Sequence, residues 1–313
     1  MNPADPSRTA LATSMMRAVH SRTAPRPLID DPWGDRLVPD AVRAAALQTV
    51  LARMEPEART KALQAPDSVL DAALRANAAY ADVILRTRYA EDALAAAAQR
   101  GIDQYVMVGA GFDSFALRQP PYAEAMTIFE IDHPATQGMK RRRLDECGVH
   151  VPDNLHFIAA DLASEGLDAA LARSSFQPGR PSFFSWLGVT MYLTREANLA
   201  TLRAIASCAA PGSELVFSYV DSAVFTPGHA RSEAFRQLQA SVSSAGEAFL
   251  SGFDPATLEE TLRETGFLLL EDSSGNETVA RYDETGINGL RSSAAAHLAH
   301  VRVVGEARQH NAP

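Results

Sequence analysis

Three short stretches carry residue types suited to holding a ring-bearing, hydroxylated small molecule. Gly109-Ala110-Gly111 follows directly on the apolar run Gln104-Tyr105-Val106-Met107-Val108. Glycines in that place let the backbone turn sharply and come close to a ligand. Glu130-Ile131-Asp132 closes a second apolar run that begins at Met126, and a carboxylate there can accept both hydroxyls of a ribose. Ala160-Asp161-Leu162 follows a third run, Leu155-His156-Phe157-Ile158-Ala159. An aspartate at that tip can accept from an adenine amino group while the leucine packs on the ring. Each piece has a plainer alternative: a tight turn for the glycines, a helix cap for each aspartate. Three such tips in a row specify an adenosine nucleoside better than any one alone.

Dinucleotide binding is the first rival, and with it a nicotinamide oxidoreductase. Its fingerprint asks for a third glycine at position 114, where this chain has Ser114. A non-catalytic protein that keeps the same binding fold is the second rival. No G-x-S-x-G elbow is present, so serine hydrolase chemistry has no support. His297 and His300 lie three apart without an acid or cysteine cluster beside them, and Cys147 and Cys208 lack ligand spacing, so no metal site is expected.

Strand tips can converge only if the strands lie side by side. Four more apolar runs, Pro181–Val189, Glu214–Val220, Phe267–Leu270 and His300–Val304, bring the expected strands to seven. Helical patterns alternate with them. Thr194 can cap a helix whose Leu199, Leu202 and Ile205 share one face and which ends at Pro211-Gly212. Asp254 and Pro255 read as the start of another, stopped by Gly266. The alternation predicts an α/β fold, a doubly wound and mostly parallel sheet with right-handed crossovers. Two regions fall outside it. Residues 1–80 read as a helical N-terminal cap, with a turn at Leu28-Ile29-Asp30-Asp31-Pro32-Trp33. Residues 221–252 read as a helical lid inserted into the domain formed by residues 81–313. A helical pattern also runs from Asp67 to Gln99, with an expected break near Arg86–Tyr89.

Composition narrows the partners. A formal charge of −9 suits a phosphate backbone poorly, so nucleic acid is not expected. Lys140-Arg141-Arg142-Arg143 is the local exception and reads as the solvated face of a helix. The N-terminus has Asp5 and no apolar run, which argues against a signal peptide, and no stretch reaches the ~18 apolar residues of a membrane span. A cytoplasmic location is the default expectation. Oligomeric state is not legible.

With these residues in view, the chain resembles the leucine carboxyl methyltransferase family, in particular its bacterial branch of small-molecule O-methyltransferases. The resemblance runs from about Arg22 to Val303. It rests on Leu28–Trp33, Arg86-Thr87-Arg88-Tyr89, Val108-Gly109-Ala110-Gly111-Phe112-Asp113-Ser114, and Phe129-Glu130-Ile131-Asp132-His133-Pro134 with Lys140. Ala160-Asp161-Leu162, Trp186-Leu187-Gly188-Val189-Thr190-Met191-Tyr192-Leu193, and Gly246-Glu247 before Phe253-Asp254-Pro255 complete it. It implies a class I methyltransferase-like Rossmann fold and S-adenosyl-L-methionine as cofactor. It implies that Arg86 pairs with the cofactor carboxylate, with Arg88 as the alternative. Gly109, with Ala110 and Gly111, would lie against the methionine part, Asp132 on the ribose, Asp161 and Leu162 on the adenine. Tyr192 would face the methyl-transfer site and orient the acceptor.

The chain departs from the family pattern at three places: Phe115 where many relatives have arginine, Leu187 where they have glutamate, and Ala248 where a proline is frequent. The sequence offers no convincing general base, since His133 reads as structural. The expected reaction is therefore O-methyl transfer to a small molecule at a carboxylate or an acidic hydroxyl, which is ionised without help.

Overall fold

A computed structural model of the chain describes residues 6–162, 164–226, 236, 239 and 248–304. Its centre is a seven-stranded sheet built from β1 (Gln104–Val108), β2 (Thr127–Asp132), β3 (Leu155–Ala159), β4 (Ser182–Trp186), β5 (Glu214–Val220), β6 (Phe267–Ser274) and β7 (Ala296–Val303). The order across the sheet is β3-β2-β1-β4-β5-β7-β6. β1 to β5 are mutually parallel, and β7 runs antiparallel between β5 and β6. The α/β, mostly parallel character read from the sequence is what the chain forms.

Both faces of the sheet are covered at its centre, and β1, β4 and β5 are buried along their whole length. On one face Val106, Phe129, Phe184, Leu215 and Phe217 pack with Leu202, Ile205, Leu258 and Leu262. On the other, Tyr105, Met107, Ile128, Phe183 and Val216 pack against Leu94 and Ala97 of the helix Tyr80–Gln99. The alternation of neighbours along each strand follows the period of two. The helix Arg195–Cys208 starts where Thr194 accepts from the amide of Ala197 at 3.2 Å.

Several boundaries differ from the sequence reading, each for a local reason. The helix Tyr80–Gln99 runs unbroken through Arg86–Tyr89, where Thr87 folds its hydroxyl back onto the Val83 carbonyl at 2.8 Å. The break falls instead at residues 76–79, between Pro66–Arg75 and Tyr80–Gln99. There the Asn77 side chain takes the amide of Ala79 at 2.9 Å, competing with the helix ladder. β4 ends at Trp186 rather than Val189, because Gly188 (φ +71°) turns the chain away. β6 extends four residues past Leu270 into Glu271-Asp272-Ser273-Ser274, beyond a register shift between Leu269 and Glu271. Asp254 does not cap the next helix: its carboxylate takes the amide of Ala256 at 2.9 Å in a preceding turn, and the helix Leu258–Glu264 follows Thr257.

The N-terminal residues form helices Arg8–Thr23, Trp33–Arg36, Asp40–Ala52, Pro56–Ala62 and Pro66–Arg75. Leu11, Met15, Met16 and Val19 join Leu70, Leu74, Val83, Ile84 and Phe112 in one apolar cluster, so this layer is packed onto the helix before β1 and the loop after it. Of the segment 221–252, residues 221–226, 236, 239 and 248–252 are described; Phe235, Leu238, Gly246 and Glu247 lie outside the described residues. No described helix is long and apolar enough to cross a membrane.

Candidate active site

All parallel strands end at one edge, and a cavity of about 1520 Å³ opens there. Gly109, Ala110 and Gly111 follow β1, Asp132 ends β2, Asp161 and Leu162 follow β3, and all of them line it. Arg86, Leu187, Tyr192 and Ala248 line it too. Arg88 does not: it pairs with Asp92 at 2.9 Å and donates to the Leu28 carbonyl. Of the two arginines weighed from the sequence, Arg86 is therefore the one at the cavity.

The glycines are where the backbone demands them. Gly109 has φ +73°, and a Cβ there would stand 2.5 Å from Cγ2 of Val189. Gly111 has φ +56°, and its amide donates to a carboxylate oxygen of Asp132. The other Asp132 oxygen accepts from the His133 amide at 2.6 Å. Burial pushes this carboxyl up, and the two amides hold it down. Asp132 is thus tied to the glycine loop and is not the helix cap. That role falls to His133, whose Nδ1 accepts from the Ala135 amide at 3.3 Å before the helix Pro134–Glu146. Asp161 does not cap the next helix, Leu167–Ala172, which begins after Gly166.

Arg86 reaches the cavity across Gly188, where an added Cβ would stand 2.5 Å from its Nη2. Among the described residues it makes no hydrogen bond and no ion pair. Burial works against its charge, and Tyr192 and Asp82 support it. A guanidinium is chemically suited to pairing with a carboxylate.

Four other contributors carry no signal of their own in the linear pattern. Arg17 pairs with Asp31 at 2.9 Å and donates to the Phe112 carbonyl at 2.6 Å, tying the first helix to the glycine loop. Tyr80, Asp82 and Ser292 line the cavity, and the Ser292 hydroxyl donates to Asp82. Arg17, Tyr80 and Asp82 lie in helical sequence with no motif of their own, and Ser292 reaches Asp82 from 210 positions away.

The departures from the family pattern have structural homes. Phe115 is buried, edge-on to Tyr105 at 5.1 Å. Arg118, at the other end of the short helix Phe115–Arg118, pairs with Glu91 and donates to Ser114. Leu187 makes an apolar patch of cavity wall. Tyr192 packs on Phe249 with ring centres 5.6 Å apart. The two histidines serve the sheet: His297 stacks on Tyr219 at 4.9 Å, and His300 meets Glu214 at 3.0 Å. Among the described residues no three His, Cys, Asp or Glu side chains gather as a metal set.

Fold and cavity together define a class I methyltransferase-like α/β protein with a cleft at the carboxyl ends of β1, β2 and β3. The family model for leucine carboxyl methyltransferase matches residues 10–206. The Bacillus subtilis protein YktD, named as a candidate S-adenosyl-L-methionine-dependent methyltransferase, is 31% identical over 69% of this chain and 71% of its own. A similarly named protein of Mycolicibacterium smegmatis is 31% identical over 70% of this chain and 69% of its own. The chain belongs to the leucine carboxyl methyltransferase family. Two solved structures share the fold across 96% of this chain: a candidate methyltransferase of Thermobifida fusca (14% identity, 96% of that chain, TM-score 0.58) and a DUF574 protein of Streptomyces avermitilis (13% identity, 98% of that chain, TM-score 0.56).

Proposed function

We propose that the protein is an S-adenosyl-L-methionine-dependent O-methyltransferase acting on a small molecule at a carboxylate or an acidic hydroxyl. Family membership carries the methyltransferase reading and its cofactor. The observation that supports the cofactor's seat is Arg86, a guanidinium without a counter-ion among the described residues, facing the same cavity as Gly109, Asp132 and Asp161. Arg86 would hold the cofactor carboxylate, Asp132 the ribose hydroxyls, Asp161 and Leu162 the adenine. Gly109 itself is required by packing, since Val189 fills the space a side chain would take.

When bound, this cofactor supplies a methyl group already activated on a sulfonium. The chain's task is then to position the acceptor and exclude water. The cavity, at about 1520 Å³, exceeds the ~300–1,000 Å³ of ordinary ligand sites, which leaves room for an acceptor beside the cofactor. Tyr192 and Phe249 form one wall of that room and would orient the acceptor. Residues of the helical cap and the described ends of the lid segment, Val224 and Ala248–Leu250, also line it. We assign the described parts of residues 1–80 and 221–252 to a covering role. A nicotinamide cofactor suits the loop less well: Ser114 is buried and accepts from Arg118 at 3.1 Å, so its side chain braces the turn where a dinucleotide site needs open backbone.

Methyl transfer from labelled S-adenosyl-L-methionine to a panel of small carboxylic acids and phenols tests the reading. Product that carries the label on oxygen supports it. Label found on nitrogen or carbon would keep the methyltransferase and remove the O-specificity; no label in any acceptor would favour a binding protein.

A further inference from the structure

The helix Tyr80–Gln99 turns two opposite charges into the cavity without joining them. Asp82 and Arg86 are one turn apart, a spacing at which carboxylate and guanidinium ordinarily meet on a helix surface. The same helix shows that meeting one position-pair later, where Arg88 and Asp92 pair at 2.9 Å. Asp82 and Arg86 make no such pair. Asp82 accepts from the Ser292 hydroxyl through Oδ1, and its Oδ2 has no donor among the described residues. Arg86 lies across Gly188 with no hydrogen-bond or ion-pair partner among the described residues.

The unpaired arrangement is held in place. Ser292 approaches because Gly275 leaves it room: a Cβ on Gly275 would stand 1.9 Å from the Ser292 Oγ. Burial raises the Asp82 carboxyl to about 6, so it is ionised at neutral pH. Opposite charges held apart on the wall of one cavity each stay open to a charged group of a ligand. The ligand must therefore carry a cation and an anion a few ångströms apart, which describes the zwitterionic end of an α-amino acid. We propose that Asp82 takes the ammonium at the amino acid end of the cofactor, beside the carboxylate assigned above to Arg86. The inference rests on the cofactor seat proposed above and adds to it a residue, Asp82, and a positioning partner, Ser292.

Calorimetry with S-adenosylhomocysteine and with 5′-methylthioadenosine, which lacks the amino acid part, separates the possibilities. Asp82→Asn keeps the shape and an acceptor for Ser292. It should weaken S-adenosylhomocysteine about tenfold or more, the size of a lost charge-assisted hydrogen bond, and leave 5′-methylthioadenosine within about twofold. Wild-type protein should discriminate by a similar factor between S-adenosylhomocysteine and its deaminated form. Equal loss of both ligands in Asp82→Asn, or no loss of either, would overturn the proposal. If that variant fails to fold, equal affinity of wild-type protein for S-adenosylhomocysteine and the deaminated form would overturn it. Arg86→Met is the separate control: unchanged affinity there removes the carboxylate seat, whereas discrimination against the deaminated ligand reports on Asp82 alone.

Discussion

The guanidinium of Arg86 occupies the space that a side chain on Gly188 would fill, with 2.5 Å between a built Cβ and Nη2. Gly188 also holds φ +71°, and its amide donates to the Ser218 hydroxyl at 2.7 Å. Gly188→Ala therefore meets two obstacles, a strained backbone costing roughly 1–2 kcal/mol and a displaced arginine. We expect a lower melting temperature and a loss of S-adenosylhomocysteine affinity together. Thermal unfolding and calorimetry on the same preparation check this. A variant that melts lower yet binds as well as wild type would show that Arg86 is not part of the seat.

Arg17 and Asp31 form a buried pair at 2.9 Å, with side chains 6% and 0% exposed. Arg17→Met leaves the Asp31 carboxylate buried without its cation, and it frees the Phe112 carbonyl. Removing one partner of such a pair costs about 3–5 kcal/mol. Urea denaturation should show that loss. The double variant Arg17→Met, Asp31→Asn should recover part of it, since no charge is then stranded. A single variant as stable as wild type would contradict the assignment.

His20 sets a pH dependence. Its Nε2 accepts from the Leu28 amide at 2.9 Å, so Nδ1 carries the proton toward the Tyr80 hydroxyl at 3.0 Å. Burial first, and Arg75 second, lower its pKa from 6.5 to about 4. Between those values the unfolded chain binds a proton that the folded chain refuses. The contribution is complete above pH 6.5 and is lost as pH falls toward 4. Buried acids such as Asp82, raised to about 6, act in the opposite sense over much the same range. The test is therefore a difference: the melting temperature of wild type minus that of His20→Gln, followed from pH 7 to pH 4. It should shrink as pH falls, and a constant difference would rule out the neutral buried imidazole.

Asp132 joins the glycine loop to β2 through the amides of Gly111 and His133. Asp132→Ala removes the acceptor proposed for the ribose and strands both amides. We expect a loss of about 1–3 kcal/mol in S-adenosylhomocysteine binding. Competition with adenine alone should be nearly unaffected, because adenine carries no ribose. Unchanged nucleoside affinity would reduce Asp132 to a brace for the loop.

The parts of the molecule that sequence exposed are those where local chemistry and position coincide. Gly109, Asp132 and Asp161 stand directly after short apolar runs, so their strand-tip placement is visible without a structure. Boundaries failed where a side chain competes with the backbone, as Asn77 does, or where polar residues continue a strand, as Glu271–Ser274 do. Asp82 and Ser292 could not be found together because the sheet's last antiparallel strand brings back a distant loop. Arg17 lies on a helix whose cavity-facing side shows no periodic signal. Such residues are assembled by topology, and a linear pattern does not record them.

The central claim is that the edge formed by β1, β2 and β3 holds an S-adenosyl nucleoside. Calorimetric titration of the wild-type protein with S-adenosylhomocysteine and, separately, with NAD⁺ tests it most directly. Saturable one-to-one binding of S-adenosylhomocysteine is expected, weakened in Arg86→Met and Asp132→Ala, with no saturable binding of NAD⁺. Saturable NAD⁺ binding with no response to S-adenosylhomocysteine would contradict it.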